Sequence, residues 1–186
     1  KSFMSRIFKG KDLTVSIIID NFYYIDEKLN EKEKSAHWKK HINNKNYSDL
    51  NNDLKNFRKN GLSTGLDDKH DLKIIKKKFA NVLANPDYNF WKKIADVKNI
   101  GNNDNYITHD NYLIDVNLIN EVTWLSSIRK ETDILDKAKI VCEIGSGFGS
   151  LSSKIKKINP LCKFFLIDLP ESNILSSYFL SKQFPE

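Results

Sequence analysis

The sequence predicts an α/β chain in which a helical N-terminal region, residues 1–138, is followed by one βαβ unit in residues 139–186. Two observations lead to this fold class. The last part of the chain contains two short apolar runs rich in β-branched and aromatic residues, separated by a glycine-rich turn and a helical repeat. The earlier part instead repeats apolar residues every three or four positions, which is typical of one face of a helix.

Three stretches of the N-terminal region have this helical spacing and are predicted to be helices joined by asparagine-rich turns. Ser48 is a candidate N-cap of the second helix, and Gly61 ends it. Asp71 or a neighbour starts the third helix, which Asn85 and Pro86 end. The spaced apolar residues are Ile18, Phe22, Ile25 and Leu29 in the first stretch, Leu50, Leu54 and Phe57 in the second, and Leu72, Ile75, Phe79 and Val82 in the third.

A polar, turn-rich segment at 99–111 predicts a loop, and a long helix is expected after it, from about 111 to 130. Leu118, Val122 and Leu125 mark the buried face of that helix. Because the chain then leads directly into the first strand, the helix is expected to pack beside the sheet. The preceding loop is therefore a candidate lid.

The βαβ unit is predicted from strand-like runs at 140–144 and 163–167 with a helix between them. The helix has apolar residues at Leu151, Ile155 and Ile158, and it is expected to stop at Asn159 and Pro160. Ligands of open α/β sheets bind at the carboxyl ends of the strands, so the functional residues are expected there.

Charge and composition argue against a nucleic-acid partner. The net charge is +6 and the pI is about 9.1, but 27 lysines, 3 arginines, 21 asparagines and 21 isoleucines match the amino-acid usage of an AT-rich genome. The charge is spread over the chain, and the run of Lys76, Lys77 and Lys78 is expected to form a solvated helix edge.

The two cysteines and the lack of a signal peptide or long apolar segment predict a cytoplasmic protein without a membrane span. If Glu143 and Asp168 lie level at adjacent strand ends, Cys142 and Cys162 are offset by about five residues, or roughly 16 Å. That distance excludes a disulfide between them.

The glycine-rich turn gives the main indication of function. A Gly-x-Gly-x-Gly turn at 145–149 follows the strand that contains Glu143, and Asp168 follows the second strand. A dinucleotide site places a pyrophosphate at the helix N-terminus, where a carboxylate directly before the loop would repel it, and its glycines are spaced Gly-x-Gly-x-x-Gly. Glu143 instead suits a ligand with a cationic end, as S-adenosylmethionine has, while Asp168 can accept hydrogen bonds from ribose hydroxyls.

Structural roles for the same residues remain open. The turn could be purely structural, although three glycines with two correctly placed acids favour a nucleotide-type ligand. Asp168 could cap the final helix, since Pro170 suits a first helical position. Ser146 and Ser150 could satisfy loop amides as readily as they contact a ligand.

These residues also carry a resemblance to a known family. The segment Glu143-Ile-Gly-Ser-Gly-Phe-Gly149 resembles the first motif of class I S-adenosylmethionine-dependent methyltransferases, and Leu166-Ile-Asp-Leu-Pro-Glu171 resembles their second. With the Ser-Tyr-Phe-Leu sequence at 177–180, the combination is most similar to bacterial sugar O-methyltransferases. The motifs cover about a quarter of the chain.

The resemblance implies a Rossmann-like class I methyltransferase fold of which this chain is the N-terminal part. It implies S-adenosylmethionine as cofactor and a small-molecule or glycan acceptor whose sugar hydroxyl is methylated. The implied cofactor contacts are Glu143 with the methionine part, the backbone of Gly145, Ser146, Gly147 and Gly149 along the cofactor, Asp168 with the ribose and Leu169 with the adenine. The alternative function is a non-catalytic helical interaction module with a vestigial βαβ unit.

A few other residues invite a functional interpretation. His109 with Asp110 could act as an acid/base pair, although a loop histidine is usually solvated. His37 and His41 have a metal-compatible helical spacing, but no third ligand supports it. Four aromatic residues could stack on a sugar ring, with core packing the expected role of the two tryptophans. They are Trp91, Trp124, Tyr106 and Tyr112.

Overall fold

The computed structural model describes residues 50–59, 72–95, 98–104 and 106–185, and within these ranges the chain is mixed α/β with seven helices and two two-stranded sheets. The helices are α1 Leu50–Lys55, α2 Leu72–Leu83, α3 Tyr88–Ala95, α4 Val116–Glu131, α5 Ile134–Lys137, α6 Ser150–Ile158 and α7 Pro170–Gln183. The strands are β1 Tyr106–His109, β2 Tyr112–Asp115, β3 Ile140–Ile144 and β4 Lys163–Ile167.

The predicted βαβ unit is confirmed. Strands β3 and β4 pair in parallel, with Glu143 opposite Leu166 and Ile144 opposite Ile167. Helix α6 lies between them in the chain and ends at its C-cap, Asn159, as predicted. The carboxyl ends of β3 and β4 therefore lie side by side, which is where a ligand of a parallel sheet is expected.

The strand register corrects the predicted offset of the cysteines. Cys142 lies opposite Phe165, and the amide of Lys163 donates to the carbonyl of Lys139, so Cys162 lies near the level of Lys139. The offset is thus three residues, or about 10 Å, rather than five. Both cysteines are free thiols, Cys142 exposed and Cys162 buried.

The prediction of an irregular loop over 99–111 is wrong in its last part, where β1 and β2 form an antiparallel hairpin with His109 opposite Tyr112. The two residues between the strands, Asp110 and Asn111, have φ of 48° and 66°. Positive φ at both central residues is the requirement of a type I′ hairpin turn, and aspartate and asparagine accept it more readily than most residues. This short turn allows pairing in a segment whose polarity predicted a loop.

The long helix is confirmed, but it begins at Val116 rather than near 111, because the preceding residues belong to β2. Val122 and Leu125 are buried as predicted. The side chain of Leu118 lies outside the described part of the structure.

The two described helices that precede α3 also agree with the sequence. Helix α1 buries Leu54, and Phe57 just beyond its end is buried with it, while α2 buries Phe79 and Val82. The segment 18–29 and the positions of His37, His41, Ser48, Gly61 and Asp71 lie outside the described ranges.

Two hydrophobic clusters hold the described elements together. The first joins α2, α3, β2, α4, α5 and α6, and its buried members are Phe79, Val82, Trp91, Ile94, Ile114, Ile119, Val122, Leu125, Leu135 and Ile155. The second joins α1 to α7, and its buried members are Leu54, Phe57, Ile100, Phe148, Ile174, Leu175, Tyr178 and Phe179. Both clusters contain residues from 1–138 and from 139–186. The division of the chain into two domains at residue 138 stays a prediction from the sequence.

The described elements cover one face of the β3–β4 sheet and leave the other exposed. Side chains alternate between the faces, and Phe164 on the covered face packs against the first cluster. The opposite face carries Ile140, Ile144, Phe165 and Ile167, and Ile144 is 82% exposed. Parallel sheets are normally covered on both faces, so this is an unusually apolar surface.

We expect Asn111→Ala to destabilise the fold by about 1 kcal/mol, because alanine has no side-chain oxygen to support positive φ. Asn111→Gly should retain the hairpin, since glycine adopts this conformation without strain. Asn89→Ala, on the exposed side of α3, is the matched control and should leave stability unchanged or raise it slightly. Urea unfolding of the three variants measures the difference, and equal stability of the two alanine variants would contradict the turn assignment.

Candidate functional site

The predicted glycine turn, residues 145–149, forms the connection from β3 to α6 and is named the glycine loop here. Gly147 has φ of 55°, and a Cβ atom at this position would meet open space. Gly149 has φ of 84°, and a Cβ there would lie 3.2 Å from Cδ1 of Leu180 on α7. Gly147 thus leaves room beside the loop, whereas Gly149 permits close packing of α7 against the start of α6.

Asp168 holds the glycine loop in place. Its Oδ2 accepts a hydrogen bond from the amide of Gly147 at 2.7 Å, and its Oδ1 accepts one from the amide of Leu169, also at 2.7 Å. The N-cap position of α7 is Leu169, so the alternative role of Asp168 as helix cap is wrong, while Pro170 does occupy the first turn. Because each carboxylate oxygen can accept a second hydrogen bond, Asp168 retains acceptor capacity for a ligand.

Glu143 lies on the covered face of β3 and is partly buried. The Ser152 hydroxyl of α6 donates a hydrogen bond to its Oε2. Burial raises the pKa of Glu143 above its ordinary value, and the negative charges of Glu121 and Asp168 raise it further, against the opposing effect of the Ser152 hydrogen bonds. A cation beside Glu143 would reverse this shift, because an opposite charge favours the ionised carboxylate.

A pocket of about 250 Å³ opens beside the glycine loop. It is lined by Glu121, Trp124, Glu143, Gly145, Ser146, Gly147, Phe148, Ser150, Leu151, Ser172 and Leu175. Of the predicted site residues, the structure brings Glu143, Gly145, Ser146 and Gly147 together here, whereas Gly149, Asp168 and Leu169 lie outside the lining. The volume is slightly below the range of about 300–1,000 Å³ for pockets that enclose a whole small molecule, and it suits one end of a larger ligand.

The buried hydroxyl of Ser146 favours the binding of a ligand in this pocket. Its side chain is only 7% exposed, and within the described residues its Oγ has no hydrogen-bond partner. A buried hydroxyl without a partner costs about 1–3 kcal/mol. A polar group bound in the pocket would remove that cost.

A buried ion pair beside the pocket joins α4 to α6. Lys154 Nζ lies 2.8 Å from Oε2 of Glu121, and the two side chains are 1% and 6% exposed. The same ammonium group donates to Oγ of Ser150 at 2.9 Å. Sequence reasoning missed this pair, although Glu121 interrupts the apolar face of α4 between Leu118 and Leu125 and was the one available sign of it.

The structure separates the roles of two tryptophans. Trp91 is 1% exposed in the first cluster, which confirms core packing, whereas Trp124 lines the pocket and is 58% exposed. The expectation of core packing is therefore wrong for Trp124.

The glycine loop is also held by aromatic contacts from α7 and from the segment after α1. The ring of Phe148 lies 5.5 Å from that of Phe57 and 5.0 Å from that of Phe179, between centroids. The guanidinium of Arg58 lies 4.9 Å from the centre of the Phe148 ring. The segment after α1 therefore contributes directly to the shape of the loop.

His109 and Asp110 lie apart from the pocket lining. The His109 ring contacts those of Phe79 and Tyr88, and Asp110 accepts a hydrogen bond from Lys92 at 2.7 Å. This hydrogen bond and the positive charge of Lys92 lower the pKa of Asp110. An acid/base role for the pair at the glycine loop gains no support from this arrangement.

The described ranges contain neither a cluster suited to a metal ion nor a helix suited to span a membrane. No group of three or more histidine, cysteine, aspartate or glutamate residues there could hold a metal ion. No helix in that part of the chain is both long and apolar enough to cross a membrane.

Comparison with protein-family models, with curated proteins and with solved structures gave no match to this chain.

We expect Lys154→Met to destabilise the protein by about 3–5 kcal/mol, because it leaves the Glu121 carboxylate buried without a counter-charge. Lys154→Met combined with Glu121→Gln should recover a large part of that loss. Lys130→Met, at an exposed position of α4, is the control and should change stability little. Chemical unfolding of the wild type, Lys154→Met, Glu121→Gln and the double variant gives the coupling energy, and additive single effects would show that the pair is not a buried unit.

The pH dependence of the unfolding free energy should reflect the ionisation of Glu143. Because the pKa of Glu143 is raised in the folded state, the fold favours the protonated carboxyl. The stabilisation that this protonated carboxyl gives is lost as pH rises from the ordinary pKa of 4.5 through the raised pKa. We therefore expect the unfolding free energy of the wild type to fall relative to Glu143→Gln over this interval and then to level off. Urea unfolding of both proteins at a series of pH values measures it, and a constant difference would contradict the assignment.

Proposed function

We propose that this chain binds S-adenosylmethionine at the glycine loop and serves a methyl transfer to a sugar hydroxyl, within a Rossmann-like class I methyltransferase fold. The observation that carries the proposal is the pocket at the end of β3, lined by the carboxylate of Glu143 and by the hydroxyl of Ser146, which has no hydrogen-bond partner among the described residues. Both groups suit the charged amino-acid end of that cofactor. The sequence motifs on both strands agree with it.

The hydrogen bonds that the loop amides make within the protein favour a cationic ligand over a phosphate. The amide of Gly145 donates to the carbonyl of Ile167, that of Gly147 to Asp168, and that of Gly149 to the carbonyl of Ser146. Phosphate-binding loops instead offer their amides to the anion. Because the three glycine amides are already used within the protein, a dinucleotide pyrophosphate has little to bind here.

The residues at the ends of β3 and β4 fit the groups of the cofactor. The Glu143 carboxylate would accept hydrogen bonds from the ammonium group, and Ser146 would supply its buried hydroxyl. Asp168 has unused lone pairs for ribose hydroxyls, and Leu169 follows it for the adenine, as the resemblance implies. When bound, the cofactor supplies an electrophilic methyl group on sulfur. The described residues hold and orient it, and we assign no catalytic residue among them.

The uncovered face of β3 and β4 favours a second candidate, an interaction module that binds no cofactor. Exposed apolar surfaces of this kind are common at sites of protein association. Calorimetric titration with S-adenosylmethionine and S-adenosylhomocysteine decides between the two functions. Saturable binding of either ligand, with none for the nicotinamide dinucleotide, supports the methyltransferase proposal, and absence of binding together with self-association in solution supports the module.

We expect Asp168→Ala to weaken binding of S-adenosylhomocysteine roughly tenfold to a hundredfold, because hydrogen bonds to a charged group contribute about 1.5–3 kcal/mol. The variant loses both the loop anchor and the acceptor for the ribose. Asp136→Ala, an exposed carboxylate on α5, is the control and should bind like the wild type. An unchanged titration curve for Asp168→Ala would remove Asp168 from the binding site.

A further inference from the structure

Trp124 belongs to the wall of the pocket although it comes from the N-terminal region. It lies on α4 three residues after Glu121, and residues with that spacing share one side of a helix. Both side chains line the pocket, and Trp124 stays 58% exposed. A large aromatic surface is therefore available to a ligand.

Among the described charged groups around the pocket, one carboxylate is not compensated by a cation. The carboxylate of Glu121 is paired with Lys154 at 2.8 Å, and that of Asp168 receives two backbone amides. Within the described ranges, Glu143 is the carboxylate of the pocket lining that has no cationic side chain beside it. A ligand that brings positive charge would compensate Glu143.

The proposed cofactor carries two positive groups with different chemistry. Its ammonium group donates hydrogen bonds, so it matches the oxygens of Glu143 and Ser146. Its sulfonium group has no N–H or O–H and cannot donate in this way. A cation of that kind is best recognised by the electron-rich face of an aromatic ring, and tryptophan gives the strongest such interaction.

We propose that Trp124 recognises the sulfonium group of S-adenosylmethionine by a cation–π contact, so that the pocket distinguishes this cofactor from S-adenosylhomocysteine, whose sulfur is uncharged. The inference rests on the proposed function and adds a specificity-determining residue to it. Because the contact depends on the sulfur charge, it favours retention of the methylated cofactor and release of the demethylated one.

The test compares both ligands by calorimetric titration of the wild type, Trp124→Leu and Trp124→Phe. Leucine keeps apolar bulk and removes the aromatic face, so affinity for S-adenosylmethionine should fall roughly fivefold to thirtyfold, with less than about a twofold change for S-adenosylhomocysteine. Phenylalanine should retain much of the preference. Tyr106→Leu removes another exposed aromatic outside the pocket and should change neither affinity.

The outcomes separate this inference from the proposed function. An equal loss for both ligands in Trp124→Leu, or no loss for either, overturns the sulfonium contact and leaves cofactor binding intact. Failure of the wild type to bind either ligand overturns the proposed function and the inference with it. Because the Trp124 side chain is largely exposed, both variants should fold, and their thermal melting curves verify this directly.

Discussion

The hydrogen bond from the Gly147 amide to Oδ2 of Asp168, 2.7 Å long, joins the loop after β3 to the residue that follows β4. It acts across the parallel pair, where the backbone ladder ends with Gly145 bound to Ile167. The loop conformation, the start of α6 and the entry to α7 all depend on it. A charged acceptor suits this position, because such hydrogen bonds are stronger than neutral ones.

The pocket is built from both segments of the chain. The βαβ unit supplies Glu143 and the glycine loop, while α4 supplies Glu121 and Trp124. The buried Lys154–Glu121 pair fixes α4 against α6, and a pair that has lost its hydration tolerates little displacement of either partner. Trp124 reaches the pocket because of this attachment.

The two faces of the β3–β4 sheet have opposite character. One face meets the first hydrophobic cluster and contributes Glu143 to the pocket. The other exposes Ile144 and Phe165, whose hydration costs free energy in proportion to apolar area. The pocket and the exposed apolar surface thus lie on opposite sides of one small sheet.

The sequence by itself determined the elements whose causes are local. Strand composition, the glycine turn, and the stops at Asn159 and Pro160 predicted β3, α6 and β4, because backbone sterics act within a few residues. The sequence also indicated Glu143, Ser146 and the loop glycines as site residues, and the structure brings most of them to one pocket.

Only the tertiary structure decided the rest. The β1–β2 hairpin depends on a two-residue turn and on packing against the first cluster, which outweigh the polarity of its sequence. The anchoring role of Asp168, the Lys154–Glu121 pair and the exposure of Trp124 depend on partners distant in the chain. Such interactions follow from which surfaces meet after folding, and no local pattern specifies them.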